Sequence, residues 1–333
     1  MSVGEVIGIG EPEIPDRDGA FPRLSDGQLD KLRARGNLRE VEPGEILFRA
    51  GDEPASLFII ESGFVSIVYG YGEENRLIAV HGPRRFLGEI GFLTGQKLYL
   101  TGVVRDAGEV IEVPLEALRR LLEDDKAMSD MILGAFMARR LILIGIGAGH
   151  KLIGSSFSPK SRDLREFLAR NRMPHQWVDL EEHGDADAML EDLGIAPGET
   201  PVVITATGLV LRNPSTVELA KAIGIGGRGP APALCDLVIV GAGPAGLSAS
   251  LYAASEGLDV QNVESVAPGG QASTSAKIEN YLGFPTGISG TELTQRAGLQ
   301  AFKFGARLTA PATAEKLTTD SGTHEITLSN GEV

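Results

Sequence analysis

The sequence predicts a multidomain protein in which a β-rich N-terminal domain precedes two α/β domains. Three observations carry this prediction. The chain has 333 residues, which is enough for two or three domains. Short apolar-alternating runs separated by glycine turns fill residues 39–113, a pattern that favours a β-barrel or β-roll. From residue 151 onward, strand-like and helix-like segments alternate instead.

Composition narrows the classes of partner and compartment. The net charge of −14 argues against nucleic acid or an anionic membrane as the main partner. The N-terminus has no basic region before an apolar run, so we expect no signal peptide, and the cytoplasm is the expected compartment. Arg139 and Arg140 interrupt the apolar run 131–149, which predicts a core-facing helix rather than a membrane span. The single cysteine excludes a CxxC pair within this sequence.

The first predicted domain covers residues 21–144. Residues 1–20 are acidic and punctuated by proline and glycine, so we expect a loose lead-in. Ser25 is an N-cap candidate for a short helix with apolar residues at positions 29 and 32. The glycine-punctuated strands follow, and two helices are predicted after Pro114.

Residues 21–144 resemble the cyclic nucleotide-binding domain family. The resemblance is carried by PGE at 43–45, LF at 47–48, GD at 51–52, the strand LFIIESGFVSIV with its glycine, and FLGEIGFLTGQ from residue 86. It implies a β-roll with flanking helices. It also implies that Gly88 lies at the turn of a phosphate-binding cassette, and that Glu89 faces the ribose hydroxyl of a cyclic nucleotide.

The sequence departs from this family where the cassette normally has an arginine followed by serine, threonine or alanine. Tyr99, Leu100 and Thr101 occupy those positions. A cyclic phosphate would lack its charge-assisted partner there. Two interpretations remain open: the β-roll binds a cyclic nucleotide, or it is a regulatory or dimerising module. The final helix of this family packs against a second subunit, so the resemblance implies a homodimer.

Residues 145–149, GIGAG, are predicted to be a linker because no strand precedes them. The segment 151–225 then has the order βαβαββα. It resembles the thioredoxin and glutaredoxin fold, an α/β domain, with Pro201 as the candidate for the family's cis-proline.

The middle segment has no thiol where active members of that fold carry C-P-x-C. Ser158-Pro159-Lys160-Ser161 stands there, and serine supplies no thiolate. We expect a redox-inert domain in which Ser158 and Ser161 cap a helix. His175, His183 and Trp177 have no metal-ligand spacing, so a structural role is predicted for each.

After a Gly/Pro linker from residue 226, a buried strand is predicted to lead into a glycine fingerprint. The stretch 235–246 reads CDLVIVGAGPAG, which is G-x-G-x-x-G between a strand and a helix. In this motif Gly241 allows a tight turn, Gly243 lets a pyrophosphate approach the backbone, and Gly246 allows close helix–strand packing. Pro244 and Ala245 complete the loop at the helix N-terminus, where free N–H groups favour phosphate.

Two further residues, one after the glycine fingerprint and one at its start, bear on what the fingerprint binds. Glu264 follows at the end of a second predicted strand, where an acidic residue bonds a ribose. Cys235 opens the fingerprint strand, and we predict a small buried core residue without a redox role.

Residues 267–290 carry the most specific family resemblance in the chain. APGGQASTSAKIENYLGFPTGISG is similar to the low-molecular-weight thioredoxin reductase family. The resemblance implies a partial α/β Rossmann-like domain over 234–333, the N-terminal half of an FAD-binding domain. In it the fingerprint holds the pyrophosphate and Glu264 bonds the adenosine ribose. The turn of Pro268, Gly269, Gly270 and Gln271 would run along the cofactor, and Asn280 would contact the flavin side.

Two features depart from an intact domain of this kind. Gln261 and Asn262 are polar where the interior of a parallel sheet is normally apolar, so they lie at a domain contact or weaken the domain. The sequence also stops within the first FAD half-domain of the family. We therefore expect exposed sheet edges and apolar surface. We also expect the chain alone to lack disulfide reductase activity, because the NADPH domain and its CxxC pair are absent from it.

The order of the three domains resembles bacterial fusion flavoproteins. In a complete member, NADPH would reduce FAD, and electrons would pass through a dithiol to the disulfide of a thioredoxin-like protein. One alternative is a cyclic-nucleotide sensor or dimerisation module fused to a flavoprotein remnant. Another is a ferredoxin-linked or peroxide-linked reductase of the same fold.

Overall fold

The structure, a computed structural model, describes residues 10–70, 76–88, 96–146, 149–182, 190–191, 194–225, 234–320 and 322–331. These residues divide into two compact units. The first runs to residue 162 and resumes over 173–214, and the second comprises 163–172 and the chain from 215 onward. This division splits the segment 151–225, which the sequence predicts as one domain. No helix in the described ranges is long and apolar enough to cross a membrane.

A six-stranded antiparallel sheet with flanking helices forms most of the first unit, as predicted. Its two longest strands pair with each other, and the shorter strands pair with one or the other of them. The elements are α1 (Asp26–Arg33), β1 (Asn37–Val41), β2 (Ile46–Phe48), β3 (Ser56–Tyr69), β4 (Arg76–His81), β5 (Phe86–Leu87), β6 (Thr101–Pro114), α2 (Leu115–Asp124) and α3 (Lys126–Gly145).

Local sequence explains why these elements start and pack where they do. The Gln28 side chain accepts the Ser25 N–H at 2.8 Å, so the predicted N-cap opens α1. Leu29 and Leu32 are buried, as their helical spacing predicts. Strands β3 and β6 turn alternate apolar side chains inward, and Phe58 is among the residues of the resulting core.

The prediction of a loose lead-in is wrong for residues 10–20. The Ile14 N–H donates to the Val80 carbonyl at 2.9 Å. The Glu13 carboxylate accepts the Gly82 N–H at 3.0 Å and lies 2.6 Å from the buried Arg85 guanidinium. An acidic residue of this segment therefore fixes it against the sheet, because Glu13 supplies the counter-charge to the buried Arg85.

A four-stranded mixed sheet follows in the same unit. Its strands are β7 (His150–Gly154), β8 (His175–Asp179), β9 (Val202–Ile204) and β10 (Val210–Arg212). They lie in the order β10-β9-β7-β8; β7 and β8 are parallel, and the other neighbours are antiparallel. Helix α4 spans Pro159–Arg170 and α5 spans Thr216–Ile223. Most of the second helix predicted in this segment, and His183, lie outside the described residues.

The second unit contains a parallel three-stranded sheet in the order β11-β12-β13. Its elements are β11 (Leu237–Val240), α6 (Pro244–Ser255), β12 (Val260–Val263), α7 (Gly290–Lys303) and β13 (Arg307–Thr309), followed by the hairpin β14 (Ala314–Asp320) and β15 (Thr323–Leu328).

Strand β11 forms as predicted, but the prediction that it is buried is wrong, because it lies at an edge of this sheet. Leu237 is 36% exposed and Val240 is 61% exposed. The reason is that, among the described strands, only β12 pairs with β11. The predicted exposed edge and apolar surface are both present.

Candidate functional site

The glycine loop joins β11 to α6 with the geometry that its sequence predicts. Gly241 has φ +99°, a conformation that favours glycine, and its N–H donates to the Val263 carbonyl at 2.7 Å. The chain then turns into α6, which begins at Pro244. Proline suits this first helical position because no intrahelical partner is needed there.

The other two glycines of the loop differ in what they require. A Cβ on Gly246 would lie 1.8 Å from the Gly241 carbonyl oxygen, so this glycine permits the close helix–strand packing. Gly243 has φ −70°, which any residue adopts, and a Cβ there would meet nothing within 4 Å. The fold itself therefore does not require glycine at 243. Gly243 borders open space at the N-terminus of α6, where Ala245 is also exposed. We call this space the cradle.

Glu264 is brought to the loop, as its spacing predicts. It is almost fully buried; its Oε2 accepts the Ala242 N–H at 2.9 Å, and its Oε1 accepts the Val266 N–H at 3.0 Å. Oε1 also accepts the Ser265 hydroxyl at 3.2 Å, so both of its lone pairs are engaged, whereas Oε2 has a second lone pair. The group can therefore position the loop and still accept a ligand hydroxyl through Oε2.

The turn after Pro268 also lies against the loop. The Gly269 N–H donates to the Ala242 carbonyl at 2.7 Å. A Cβ on Gly270 would come within 3.2 Å of the Gly243 Cα. Gln271 is exposed on the following turn.

Asn280 lies in a separate exposed segment. That segment is closed by a bridge between Ile278 and Ile288. Within the described residues, no hydrogen bond joins Asn280 to the glycine loop. The structure thus gathers the other predicted residues around the loop but not this one.

Asn262 contacts the loop and was missed as a functional residue. Its side-chain amide donates to the Ser250 hydroxyl at 2.8 Å, and lies 3.4 Å from the Gly241 carbonyl and 3.5 Å from that of Gly246. Gln261 donates to the Thr309 hydroxyl at 2.9 Å. Both side-chain amide NH₂ groups are paired in this buried network, which offsets the cost of placing them in a parallel strand, while the buried Asn262 Oδ1 has no partner within the described residues.

Cys235 is half-buried rather than a core residue. It precedes an edge strand, which leaves one side uncovered. Burial, followed by the nearby Asp259 carboxylate, raises the pKa of its thiol. A raised pKa disfavours the thiolate, the reactive form.

The β-roll contains a cavity of about 350 Å³ that is open to solvent on one side. Its lining is dominated by apolar side chains, among them Phe48, Phe58, Ile67, Ile78, Leu98 and Leu100. Gly88 also lines it, with φ +155°. Glu89, the predicted ribose ligand, lies outside the described residues.

Tyr99 does not line this cavity, although its neighbours on both sides do. It is buried elsewhere: its hydroxyl lies 3.3 Å from an Arg140 Nη and 3.1 Å from the Met173 sulfur. Its ring meets His150 edge-on at 5.8 Å. Of the departures from the family pattern, Leu100 is the one that faces the cavity.

Arg139 lines the cavity from α3, with its donors already engaged. The guanidinium donates to the carbonyls of Ala20 at 2.7 Å, Gly88 at 2.9 Å and Phe86 at 3.1 Å. It also lies over the Phe86 ring, 4.5 Å from the centroid. This arginine therefore ties the helix to the start of the cassette.

The four-stranded sheet carries the serines that replace the thiols. Ser158 accepts the Ser161 N–H at 3.3 Å and so caps α4, as predicted. The prediction that Ser161 also caps a helix is wrong, because its hydroxyl is buried inside α4 and has no hydrogen-bond partner within the described residues. The Thr200–Pro201 bond is cis, the state we expected for Pro201. His175 Nδ1 lies 2.8 Å from the Met173 carbonyl oxygen, and no metal-binding group of His, Cys, Asp and Glu occurs in the described ranges.

Two family models match parts of the chain. Residues 38–125 match the cyclic nucleotide-binding domain. Residues 235–333 match the pyridine nucleotide-disulphide oxidoreductase family. The first match covers the strands of the β-roll, and the second covers the glycine loop.

Among the relatives with sequence similarity are thioredoxin reductases. That of Treponema pallidum (strain Nichols) is 48% identical over 73 residues, which are 22% of this chain and 24% of the relative. The NADPH-dependent thioredoxin reductase 3 of Arabidopsis thaliana is 42% identical over 77 residues, which are 22% of this chain and 15% of the relative. The chain thus spans about a quarter or less of the length of these curated relatives.

Among solved structures, the atypical thioredoxin reductase TRi of Desulfovibrio vulgaris Hildenborough is 41% identical, with a TM-score of 0.26, over 29% of this chain and 31% of that chain. The catabolite activator protein of Thermus thermophilus is 23% identical, with a TM-score of 0.34, over 46% of this chain and 66% of that chain. The chain thus carries a segment that matches the cyclic nucleotide-binding domain, followed by a segment that matches an oxidoreductase domain of the pyridine nucleotide-disulphide class.

Proposed function

We propose that residues 234–333 bind the adenosine pyrophosphate half of FAD in a thioredoxin reductase-type flavoprotein. The observation that carries this proposal is the open cradle at Gly243. This position needs no glycine for folding, yet a Cβ there would project into the space before the N-terminus of α6. A helix N-terminus with such a clearance suits a pyrophosphate.

The residues around the cradle fit FAD. Backbone N–H groups at the start of α6 would hold the pyrophosphate. Glu264 would accept the adenosine ribose hydroxyls, and the turn at Gly270 and Gln271 would run beside the cofactor. Asn280 remains a candidate for the flavin side. When bound, FAD supplies hydride acceptance and electron transfer.

For the whole protein we propose transfer of electrons from NADPH to the disulfide of a thioredoxin-like partner. The support is the relatedness to thioredoxin reductases, one of which is named as NADPH-dependent. We assign Cys235 no part in this chemistry: it is a single half-buried thiol, and burial raises the pKa of that thiol and so disfavours the thiolate.

We further propose that the four-stranded sheet with its helices is a redox-inert thioredoxin-like domain. The strand order and directions suit that fold. Ser158 acts as a helix cap in place of a thiol.

The β-roll is proposed to be a regulatory module that forms a homodimer through α3. Leu141 and Ile144 on this helix are 63% and 40% exposed, which leaves an apolar face for a second copy. The cavity of the β-roll supports a ligand-responsive role over a purely structural one.

The test is a titration of the purified chain with FAD and with ADP, which carries the adenosine and pyrophosphate alone. Gly243→Ala is expected to weaken both at least tenfold while circular dichroism stays unchanged. Gly298→Ala on α7 is the matched control, because its Cβ would make only an ordinary contact at 3.6 Å to Phe302. Unchanged affinity in the Gly243→Ala variant, or no binding by the wild type, contradicts the proposal.

A further inference from the structure

The second unit includes a segment that lies outside the oxidoreductase match. Residues 163–172, which are the greater part of α4 and the turn after it, group with the chain from residue 215 onward. The match itself begins only at residue 235. The segment ends in Arg170, Asn171 and Arg172, which we call the Arg-Asn-Arg triplet. Each of its three side chains contacts an element beside the cradle.

Asn171 joins the end of α4 to the chain between Glu264 and the turn at Pro268. Its side-chain amide donates to the Phe167 carbonyl at 2.9 Å and to the Val266 carbonyl at 3.3 Å. The N–H of Val266 in turn donates to Glu264 Oε1. Asn171 is 7% exposed, so water competes little for these bonds. This side chain therefore fixes the point from which the turn starts.

Arg172 reaches the same turn through the start of α7. Its guanidinium donates to the Thr291 carbonyl and to the side-chain oxygen of Gln295. The Thr291 hydroxyl donates to the Ser273 carbonyl at 2.7 Å, and the Ser273 hydroxyl donates to the Gly270 carbonyl at 2.7 Å. A continuous set of hydrogen bonds therefore runs from Arg172 to the turn beside the cradle.

Arg170 is the weakest member of the triplet. Its Nη2 lies 3.5 Å from the Gly270 carbonyl oxygen, at the outer limit of a hydrogen bond, and its Nη1 lies 3.6 Å from the Glu166 carboxylate. Its contribution is to place a donor beside the carbonyl that Ser273 already binds. Three consecutive residues thus converge on one turn.

The turn itself has little intrinsic order. Gly269 has φ +112° and Gly270 has φ +54°, and glycine loses more conformational freedom than any other residue when it is fixed. A loop that is ordered before a ligand arrives spares the ligand that cost and raises its affinity. Residues that hold such a loop can therefore act on binding without touching the ligand.

We propose that Arg170, Asn171 and Arg172 are positioning residues of the adenosine pyrophosphate site, and that they hold the turn 268–271 beside the cradle before the cofactor binds. This inference rests on the flavin site proposed for residues 234–333. It extends that site to the end of α4, and gives the middle segment of the chain a role at the cofactor that needs no thiol.

The experiment is a titration of the full chain and its variants with ADP. Asn171→Leu removes the amide donor at nearly constant side-chain volume and alters no charge. We expect it to weaken ADP about 3- to 10-fold, because the ordering of the turn is then charged to binding. Gln300→Leu is the matched control, since it makes the same exchange at an exposed position of α7 and should leave the affinity unchanged.

Hydrogen exchange separates positioning from a general loss of stability. In the free Asn171→Leu variant, the peptide 266–274 should exchange faster than in the free wild type, and saturation with ADP should remove the difference. Exchange in β12 should be the same in both proteins. A residue that only stabilised the fold would speed exchange in β12 and in the turn alike.

A second variant keeps the test decisive if Asn171→Leu misfolds. Arg172→Ala should weaken ADP about 3- to 10-fold, and Arg172→Lys should recover part of the loss because lysine keeps a donor. Arg296→Ala is the control for the lost charge: Arg296 is an exposed arginine of α7 whose ion pair is with Glu292. It should change the affinity less than Arg172→Ala does.

Two results overturn the inference: wild-type affinity for ADP in both Asn171→Leu and Arg172→Ala, or equal acceleration of exchange in the turn and in β12. If Gly243→Ala still weakens ADP in the first case, the flavin site stands and only the role of the triplet is rejected. Absence of ADP binding by the wild type rejects the flavin site and this inference with it.

Discussion

The side-chain amide of Asn262 donates to the hydroxyl of Ser250 at 2.8 Å and thereby joins β12 to α6. The same hydroxyl donates to the Gly246 carbonyl at 2.8 Å. The glycine loop is thus held from the strand by a buried polar network as well as by its backbone. The paired members are the Asn262 NH₂ group and the Ser250 hydroxyl, and the bonds between them gain strength from the low local dielectric.

Breaking this pair should cost more than removing an ordinary serine hydroxyl. We expect Ser250→Ala to lower the free energy of unfolding by about 1–3 kcal/mol, because it leaves the buried Asn262 amide without its best acceptor. Ser248→Ala is the matched control: Ser248 makes the same type of bond, to the Pro244 carbonyl at 2.8 Å, but has no asparagine partner. Urea unfolding measures the free energy of unfolding of the two variants, and an equal loss in both would refute the role of Asn262. A double-mutant cycle with Asn262→Leu should give a coupling energy of about 0.5 kcal/mol or more.

Gly246→Ala should destabilise the second unit. Its Cβ would lie 1.8 Å from a backbone oxygen that has no alternative rotamer, so the helix must shift from the strand. Overpacking of this kind costs about 1–3 kcal/mol. Gly298→Ala is expected to be neutral or slightly stabilising, since alanine is the better helix former. Thermal unfolding of the two variants gives the comparison, and an unchanged midpoint for Gly246→Ala would contradict the close packing.

Acidification should destabilise the first unit through His150. Burial, and then the charges of His175 and Arg140, lower the pKa of His150 to about 3. Below the ordinary value near 6.5, the unfolded state takes up a proton that the folded state does not. The free energy of unfolding therefore decreases as the pH is lowered from about 6.5 to about 3, by about 1.4 kcal/mol per pH unit.

His150→Gln tests this contribution. The Ala206 N–H donates to His150 Nδ1 at 3.2 Å, and the glutamine oxygen provides an acceptor that does not titrate. Urea unfolding at pH 7, 6 and 5 should show a shallower decline for the variant. Parallel curves for the two proteins would mean that His150 is protonated in the folded state.

Cys235 should react slowly with iodoacetamide at pH 7. Its side chain is only half-buried, but the raised pKa of its thiol leaves little thiolate. The labelling rate, followed by mass spectrometry from pH 7 to pH 10, should rise through this range. Cys235→Ser should leave ADP affinity unchanged. Rapid labelling at pH 7 would point to an activated thiol and count against a passive role.

The sequence predicts best where a local rule determines the outcome. Gly241 has the positive φ that the tight turn needs, and Ser158 caps its helix. Pairing partners distant in sequence are harder to infer. Glu13 belongs to an acidic stretch without periodicity, and nothing local indicates that a buried Arg85 awaits it. Likewise Val240 reads as a core residue, because its exposure depends on which strands lie beside it.

Asn262 and Leu100 show two different limits. A polar residue in a parallel strand signals a network, but its partner Ser250 can be identified only once α6 is placed against β12. Leu100 and Tyr99 are adjacent in the chain, and the sequence does not say which of them faces the cavity. That choice decides whether the departure from the family changes the ligand site.

Arg139, on α3, donates hydrogen bonds to three backbone carbonyls outside its helix: those of Ala20 in the lead-in, Phe86 in β5 and Gly88 at the cassette turn. A planar guanidinium holds such a fork rigidly. Any displacement of α3 must either carry these three points with it or break all three bonds together. A single side chain therefore fastens together the lead-in, the cavity wall and the helix that presents Leu141 and Ile144.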